Sequence, residues 1–173
     1  MDAKNLLDLS GKTAVVTGGA VGIGLGISRR LAEAGANVVI ADVNAENAEK
    51  AKQELVGLGY KAEAVTTDVS KEADVEAMVQ KAVSAFGGLD ILVNNAGIYP
   101  NVLVMQMTAA DFEKVIAVNL ECVFLCTKKA AAQMITQGHG GKIVNITSID
   151  ALHPSTPGLA HYDASKHGVW GFT

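Results

Sequence analysis

Short apolar runs alternate along the chain with longer segments in which apolar residues recur at helical spacing. The runs lie at 13–16, 37–40, 63–66, 90–93 and 142–146 and are rich in valine, isoleucine and threonine. Because most of them lack a regular polar alternation, they are typical of parallel strands with both faces buried. We therefore predict five mostly buried strands separated by helices.

Cap and turn residues bound the predicted helices. The first stripe, at 23–34, ends at a glycine, and the second helix follows Asn44 as its N-cap. A third helix is expected between Ser70, as its cap, and Gly87. Residues 108–111 have capping-box spacing and begin a long helical stretch that can accommodate a bend.

Repeated strand–helix–strand units with right-handed crossovers build an open parallel sheet with helices on both faces. The predicted fold is therefore α/β, a doubly wound parallel sheet of Rossmann type, in a single domain over residues 1–173. Ligands of such sheets bind beyond the carboxyl ends of the strands. The residues that directly follow each strand are thus the first candidates for function.

Composition and charge restrict the possible partners. Hydrophobic residues make up 49% and charged residues 18% of the 173 residues, and the net charge is −4. A globular chain with no membrane partner is therefore expected. No nucleic acid partner is expected either, because basic residues do not outnumber acidic ones. The first ten residues lack a basic region followed by an apolar one, so a cytoplasmic location is expected.

The histidines and cysteines do not have the spacing of a metal site, so no metal is expected. We interpret the four histidines as solvated or loop residues. Contacts to a substrate stay open for His153, His161, Tyr99 and Asn101. The two cysteines are four residues apart on a helical pattern and are interpreted as reduced thiols, buried or at an interface.

A glycine-rich turn, TGGAVGIG, follows the first strand. Gly18, Gly22 and Gly24 permit a tight turn, close approach of a pyrophosphate and free backbone N–H groups at a helix start. The strict G-x-G-x-x-G fingerprint is absent, because Ile27 occupies the place of the third glycine. An ordinary glycine-rich turn is the alternative.

Asp42 ends the second strand, 20 residues after Gly22. A carboxylate there can accept hydrogen bonds from the 2′ and 3′ hydroxyl groups of a ribose. It would repel a 2′-phosphate by about 4 kcal/mol at roughly 4 Å and an effective dielectric of about 20. Neither Val21 nor Val43 supplies a compensating cation, so NAD is predicted and NADP is less favoured.

Polar residues also follow the third and fourth strands. Asp68 can accept from an adenine amino group, and the sequence NNAG at 94–97 can fix the sheet edge and bring backbone near the adenosine ribose. The simpler alternatives are a loop acid and a turn that ends the strand.

Ser148 directly follows the fifth strand. Further along, Tyr162 and Lys166 share one helical face, about 6 Å apart along the axis.

Together and in this order, the turn at 17–24, the NNAG sequence, Ser148 and the YDASK sequence at 162–166 resemble the short-chain dehydrogenase/reductase family. The resemblance covers essentially the whole chain. It implies an NAD(P)-dependent oxidoreductase that interconverts a secondary alcohol and a ketone. The implied catalytic residues are Asn119, Ser148, Tyr162 and Lys166. The implied cofactor-binding residues are Gly18, Gly22, Ile23, Gly24, Asp42, Val43, Asp68, Val69, Asn95, Ala96, Gly97, Tyr162 and Lys166.

The resemblance also implies individual roles. Tyr162 would exchange the proton of the alcohol, and Ser148 would hydrogen-bond the reacting oxygen. Lys166 would stabilise the phenolate and hold the nicotinamide ribose, while Asn119 would position a water. A lysine near a phenolate is effective only in a partly closed site, because water screens the charge.

The last helical stretch ends at 169–173 without a terminator, whereas family members continue into further strands and a lid. We therefore expect the chain to be truncated after the fifth strand and the start of the next helix. A non-catalytic dinucleotide-binding or assembly module is the alternative function. Among enzymes, an NADPH reductase of the 3-oxoacyl-carrier-protein type competes with a polyol, sugar or hydroxysteroid dehydrogenase. The resemblance implies a small alcohol or carbonyl substrate and a homodimer or homotetramer built on the helices around 120–134 and Tyr162.

Overall fold

The predicted strands form one parallel sheet in the order β3-β2-β1-β4-β5. The structure is a computed structural model and describes residues 7–173. The strands are β1 (Thr13–Thr17), β2 (Asn37–Asp42), β3 (Ala62–Thr66), β4 (Ile91–Asn94) and β5 (Lys142–Asn145). The predicted doubly wound sheet is confirmed.

Helices connect the strands. They are α1 (Gly22–Glu33), α2 (Ala45–Gly57), α3 (Glu72–Phe86), α4 (Ala109–Ile116), α5 (Cys122–Gln137) and α6 (Ala160–Phe172). A π-helical segment (Ala117–Glu121) joins α4 to α5, and a 3₁₀ turn (Ile149–Ala151) follows β5.

Alternate residues of the central strands face opposite helical layers, as expected for a strand buried on both sides. Val15 of β1 belongs to an apolar cluster that packs α3 and α5 against one face. Its neighbour Val16 belongs to a second cluster that packs α1 and α2 against the other face. These two clusters form the core and hold the strand ends in register.

The chain changes the side of the sheet to which it adds strands at β1, which pairs in parallel with β2 on one side and with β4 on the other. From β1 the chain builds β2 and β3 outward on one side and β4 and β5 on the other. Such a switch point leaves a crevice beyond the carboxyl ends of the two strands that flank it. None of the helices within residues 7–173 is both long and apolar enough to cross a membrane.

Three local expectations are changed by the structure. β5 is not a buried strand, because it lies at the sheet edge and leaves Val144 47% exposed. Ser70 is not the cap of α3, since Lys71 occupies the N-cap position and Ser70 instead bonds to Asp68. The long helical stretch does begin with the Thr108 capping box, but the π-helical segment interrupts it.

Candidate active site

A cavity of about 880 Å³ opens at the carboxyl ends of β1 to β4. The sequence-predicted cofactor residues that lie between Gly18 and Gly97 all line it. Its other lining residues are Val21, Thr67, Ser70, Ile98, Tyr99, Lys114, Ala117 and Val118. The volume lies in the upper part of the range of about 300–1,000 Å³ for small-molecule sites, which suits a large ligand.

The turn between β1 and α1 is shaped by glycines whose side chains would not fit. Gly18 has φ +58°, and a Cβ there would lie 3.0 Å from Ala96 Cα. A Cβ on Gly24 would overlap the Gly18 carbonyl oxygen. Val21, the N-cap residue of α1, makes no side-chain capping bond. The turn therefore presents bare backbone and the amino end of a helix to the cavity, an arrangement that favours an anion.

Asp42 is held at the cavity wall by backbone groups. Its Oδ2 accepts from Ala20 N at 3.2 Å and its Oδ1 from Asn44 N at 3.1 Å, and only 8% of the residue is exposed. Val21 and Val43 beside it are exposed. The carboxylate thus joins the glycine turn to the end of β2 and keeps lone pairs for a ligand hydroxyl.

Asp68 is stabilised in its ionised form by local donors. The Ser70 hydroxyl, 2.6 Å away, makes the largest contribution to holding the pKa of Asp68 below its usual value. The Ser70 N–H and the Lys71 ammonium, which lies 3.3 Å from Oδ2, add to this effect. Asp68 therefore presents a carboxylate at the cavity wall near neutral pH.

Asn95 and Thr17 tie the end of β4 to the end of β1. Asn95 Nδ2 donates to the carbonyl oxygens of Thr17 at 3.0 Å and Gly18 at 3.1 Å. In return, Thr17 Oγ1 accepts from Asn95 N at 3.0 Å and Ala96 N at 3.1 Å. Four hydrogen bonds therefore fix the crevice at the switch point.

Lys166 and Tyr162 lie on one face of α6, as their spacing predicts. The Lys166 ammonium lies 5.8 Å from the centroid of the Tyr162 ring. It donates to the Ile146 carbonyl oxygen at 2.8 Å, and only 5% of the residue is exposed. Burial lowers the pKa of Lys166. A buried ammonium with a neutral acceptor is stabilised by any anion that forms nearby.

Asn119 connects three parts of the chain from within the π-helical segment. Its Oδ1 accepts from Ile98 N at 2.8 Å, while Nδ2 donates to Ile98 O at 2.9 Å and to Ser165 Oγ at 3.1 Å. A Cβ on Gly97 would lie 3.4 Å from Asn119 Oδ1 and 3.8 Å from Lys166 Nζ. The end of β4, the π-helical segment and α6 therefore converge at Gly97.

Ser148 lies in the segment after β5, and a hydrogen bond from the neighbouring Thr147 connects this segment to α6. Thr147 Oγ1 donates to the Lys166 carbonyl oxygen at 3.1 Å. Ser148 Oγ donates to Asp150 Oδ2 at 3.1 Å and accepts from Asp150 N at 3.2 Å. Sequence reasoning missed this use of Ser148 as the cap of a 3₁₀ turn, although a serine two residues before an aspartate is a recognisable signal for it.

Asn119, Ser148, Tyr162 and Lys166 are not among the residues that line the cavity. The link between this group and the cavity is the loop after β4. Gly97 and Ile98 line the cavity and contact Asn119, and the Tyr99 ring, also on the wall, stands edge-on to the Tyr162 ring with centroids 6.2 Å apart.

His161 and both cysteines are buried in the structure. The interpretation of all four histidines as solvated or loop residues is wrong for His161, which lies in α6 and is fully buried. Cys122 and Cys126 are free thiols buried in the core, and burial raises the pKa of each to about 12. Within residues 7–173 no cluster of three or more His, Cys, Asp or Glu side chains can hold a metal ion.

The chain is similar to known proteins over nearly its whole length. The profile of a family described as short chain dehydrogenase matches residues 12–173. The chain is 46% identical, over 166 residues, to a 3beta-hydroxysteroid dehydrogenase 2 from Eggerthella lenta. It is 41% identical, over 163 residues, to a 3-oxoacyl-(acyl-carrier-protein) reductase from Staphylococcus aureus.

These alignments cover 95% and 94% of the chain but only 64% and 65% of the two relatives. The chain therefore spans about two thirds of the length of these curated proteins. Among solved structures, a short-chain type dehydrogenase/reductase from Mycobacterium marinum superimposes with a TM-score of 0.96 at 34% identity. That superposition covers 100% of this chain and 70% of the other.

Proposed function

The chain belongs to the short-chain dehydrogenase/reductase family, and on this premise we propose that it interconverts a secondary alcohol and a ketone with NAD in preference to NADP. The observation that carries the proposal is the convergence at Gly97, where the cavity wall meets Asn119 and Lys166. A dinucleotide supplies, when bound, the nicotinamide ring that takes up or returns the hydride.

The cavity is lined by hydrogen-bond donors and acceptors that suit the parts of a dinucleotide. The bare backbone at Gly18, Gly22 and Gly24, together with the amino end of α1, would hold the pyrophosphate. The Asp42 carboxylate would accept from the ribose hydroxyls, and Asp68 from the adenine amino group. The other wall residues in the proposed cofactor site are Ile23, Val43, Val69, Asn95, Ala96 and Gly97.

The preference for NAD follows from the charge at Asp42. Its carboxylate is fixed by two backbone N–H groups and cannot swing away without losing both hydrogen bonds. The flanking Val21 and Val43 are exposed and uncharged. A 2′-phosphate would therefore meet a fixed negative charge with no neighbouring cation on either side chain.

Proton exchange is assigned to the Tyr162 hydroxyl. During oxidation the ionised phenol oxygen would accept the hydroxyl proton of the alcohol as the hydride leaves carbon, and during reduction the protonated phenol would return that proton to the ketone oxygen. The buried Lys166 ammonium, 5.8 Å from the Tyr162 ring, stabilises the negative charge on the phenol oxygen. Ser148 Oγ would turn its proton from Asp150 to the reacting oxygen and orient it.

Asn119 has a more restricted role than the family resemblance implies. Both N–H groups of its amide and one lone pair of Oδ1 are already engaged with Ile98 and Ser165. One lone pair on Oδ1 remains for a water. We assign Asn119 to holding Ile98 and α6 in register, with any water bound only through that oxygen.

An assembly is also proposed, as a homodimer or homotetramer. Large apolar side chains are exposed on α5 and α6, with Phe124 46%, Ile135 78% and Trp170 58% exposed. Burying these side chains against a second copy of the chain would remove them from water. Light scattering tests this, and a species of 17.9 kDa alone would contradict it.

Two other functions have support from particular observations. The four catalytic candidates lie off the cavity wall, which favours a module that binds a dinucleotide without turnover. The similarity to a 3-oxoacyl-(acyl-carrier-protein) reductase favours a reductase within the enzyme class. Titration with NAD and NADP, followed by assays with secondary alcohols and with ketones, separates the three. Binding without turnover supports the module, and turnover only with NADPH and a ketone supports the reductase.

A further inference from the structure

The first turn of α6 has backbone donors that the helix itself does not satisfy. α6 begins at Ala160, and Asp163 N is the first donor that reaches back along the helix, to Leu159 O at 2.9 Å. The N–H groups before it, including that of Tyr162, precede the first residue with an intrahelical acceptor. The N-cap residue, Leu159, has no polar side chain and makes no capping bond.

His161 supplies an acceptor to one of these donors. Tyr162 N donates to His161 Nδ1 at 3.0 Å. Because Nδ1 accepts, it carries no proton, and the neutral ring holds its proton on Nε2. The fully buried His161 side chain therefore holds the backbone N–H of Tyr162, the proposed acid/base residue, and the same hydrogen bond sets the tautomer of His161.

The second ring nitrogen of His161, Nε2, makes no hydrogen bond within residues 7–173 that would explain a histidine at this position. His161 Nε2 is buried and has no hydrogen-bond partner among the described residues. A buried N–H without an acceptor is unfavourable, and an apolar side chain of similar size would fill the same space without it. The feature that histidine adds over such a side chain is the acceptor at Nδ1.

The carbonyl group of Tyr162 is also held by a buried side chain, in this case by a donor. Ser165 Oγ donates to the Tyr162 carbonyl oxygen at 2.6 Å and accepts from Asn119 Nδ2 at 3.1 Å. Ser165 is also fully buried. The backbone of Tyr162 is thus held at its N–H by His161 and at its carbonyl group by a chain of bonds that leads to the π-helical segment.

From these contacts we propose that His161 is a positioning residue, which fixes the Tyr162 backbone through Nδ1 and so keeps the phenol aligned for proton exchange. The proposal rests on the proposed function of Tyr162. It assigns His161 no contact with substrate. Loss of the Nδ1 acceptor leaves the Tyr162 N–H without a partner and allows the first turn of α6 to move, which displaces the phenol.

Two variants separate the acceptor from the bulk of the side chain. In His161→Asn, Oδ1 takes the place of Nδ1, whereas His161→Leu fills the space without an acceptor. We expect kcat to fall by roughly ten- to a hundredfold in His161→Leu, as a small misplacement of a reacting group does, and by less than about threefold in His161→Asn. The dissociation constant for NAD should stay within about twofold in both, because neither change touches the cavity wall.

His167→Leu is the matched control, since His167 is exposed and lies on the same helix. It should keep wild-type kcat. Equal kcat values in wild-type protein, His161→Leu and His161→Asn would overturn the positioning role and leave the proposed function intact. Absence of turnover in the wild-type protein would instead contradict the proposed function, and the positioning role with it.

The tautomer gives a readout that needs neither turnover nor a stable variant. The imidazole ¹⁵N resonances of His161, assigned in the wild-type protein by through-bond correlation to its own backbone, should show a bare Nδ1 and a protonated Nε2. The Tyr162 amide should exchange slowly with solvent although it lies in the first turn of a helix. A proton on Nδ1 of His161, or rapid exchange at the Tyr162 amide, would contradict the proposed hydrogen bond.

Discussion

Lys166 Nζ donates a hydrogen bond of 2.8 Å to the carbonyl oxygen of Ile146, directly beyond the end of β5. The acceptor is neutral, so the bond orients the ammonium without compensating its charge. The charge stays buried, 5.8 Å from the Tyr162 ring. This arrangement explains how a lysine four residues from a tyrosine can act on it electrostatically, while a backbone carbonyl group holds the lysine in place.

Replacement of Lys166 by methionine should change both activity and the pH dependence of stability. Turnover should be lost, because no cation remains to stabilise the phenolate. Burial lowers the pKa of Lys166 from 10.5 in the folded state, so the unfolded chain binds its proton more strongly. Between the lowered value and about 10.5, stability of the wild-type protein should rise with pH relative to Lys166→Met. Urea unfolding of both proteins across this range measures the difference, and parallel curves would refute the buried charge.

Asp42→Asn should change the choice between NAD and NADP. Removal of the fixed charge takes away a repulsion of roughly 1–4 kcal/mol with a 2′-phosphate, so the ratio of the two affinities should shift towards NADP by about fivefold or more. Asparagine keeps one oxygen to accept from backbone N–H groups. Glu46→Gln removes an exposed acid nearby and serves as the control. An unchanged preference in Asp42→Asn would remove the basis for assigning NAD.

Gly24→Ala should impair cofactor binding, whereas Gly26→Ala should not. A Cβ on Gly24 would overlap the Gly18 carbonyl oxygen and would lie 2.6 Å from Asn95 Nδ2. A Cβ on Gly26 would meet no atom within 4 Å. Overpacking at Gly24 should lower the free energy of unfolding by about 1–3 kcal/mol. Alanine at Gly26, inside α1, should raise it by up to about 1 kcal/mol. Cofactor titration and thermal unfolding of the pair check this, and equal behaviour would contradict the close approach at Gly24.

Cys122 and Cys126 should resist thiol reagents while the chain is folded. Burial raises the pKa of both from 9.0 to about 12, so the reactive thiolate is suppressed. Because the unfolded thiols ionise first, their contribution to stability should be complete below pH 9.0 and fall as pH rises towards 12. Labelling at mildly alkaline pH should modify neither cysteine in the native state and both in denaturant. Rapid native labelling would show that the thiols are accessible.

Features set by neighbours in the sequence could be predicted, whereas those set by distant packing could not. Asn44 accepts from Asn47 N at 2.9 Å and caps α2 as its position predicts, because both residues lie within one turn. The wall of the cavity could be assembled from sequence because parallel strands end at one edge. By contrast, the burial of His161 depends on how α6 packs against elements far away in the sequence, and no local pattern carries that information.

The site around Asn119 shows the same limit. Its three hydrogen bonds connect Ile98 and Ser165, which lie 21 and 46 positions away. The π-helical segment that carries Asn119 has ordinary helical sequence, so periodicity predicts a continuous helix with no more than a bend. Recognition of a family motif identified Asn119 as a candidate, but only the structure supplies its partners.

Tyr162→Phe tests the central claim most directly, through NAD affinity and alcohol-dependent reduction of NAD measured on the same protein preparation. The variant keeps the ring that packs against Tyr99 and loses only the hydroxyl group. We predict a dissociation constant for NAD within about twofold of the wild-type value and a turnover reduced by at least about a hundredfold, as expected when a general acid/base is removed. Turnover close to that of the wild-type protein would contradict the assignment of proton exchange to Tyr162.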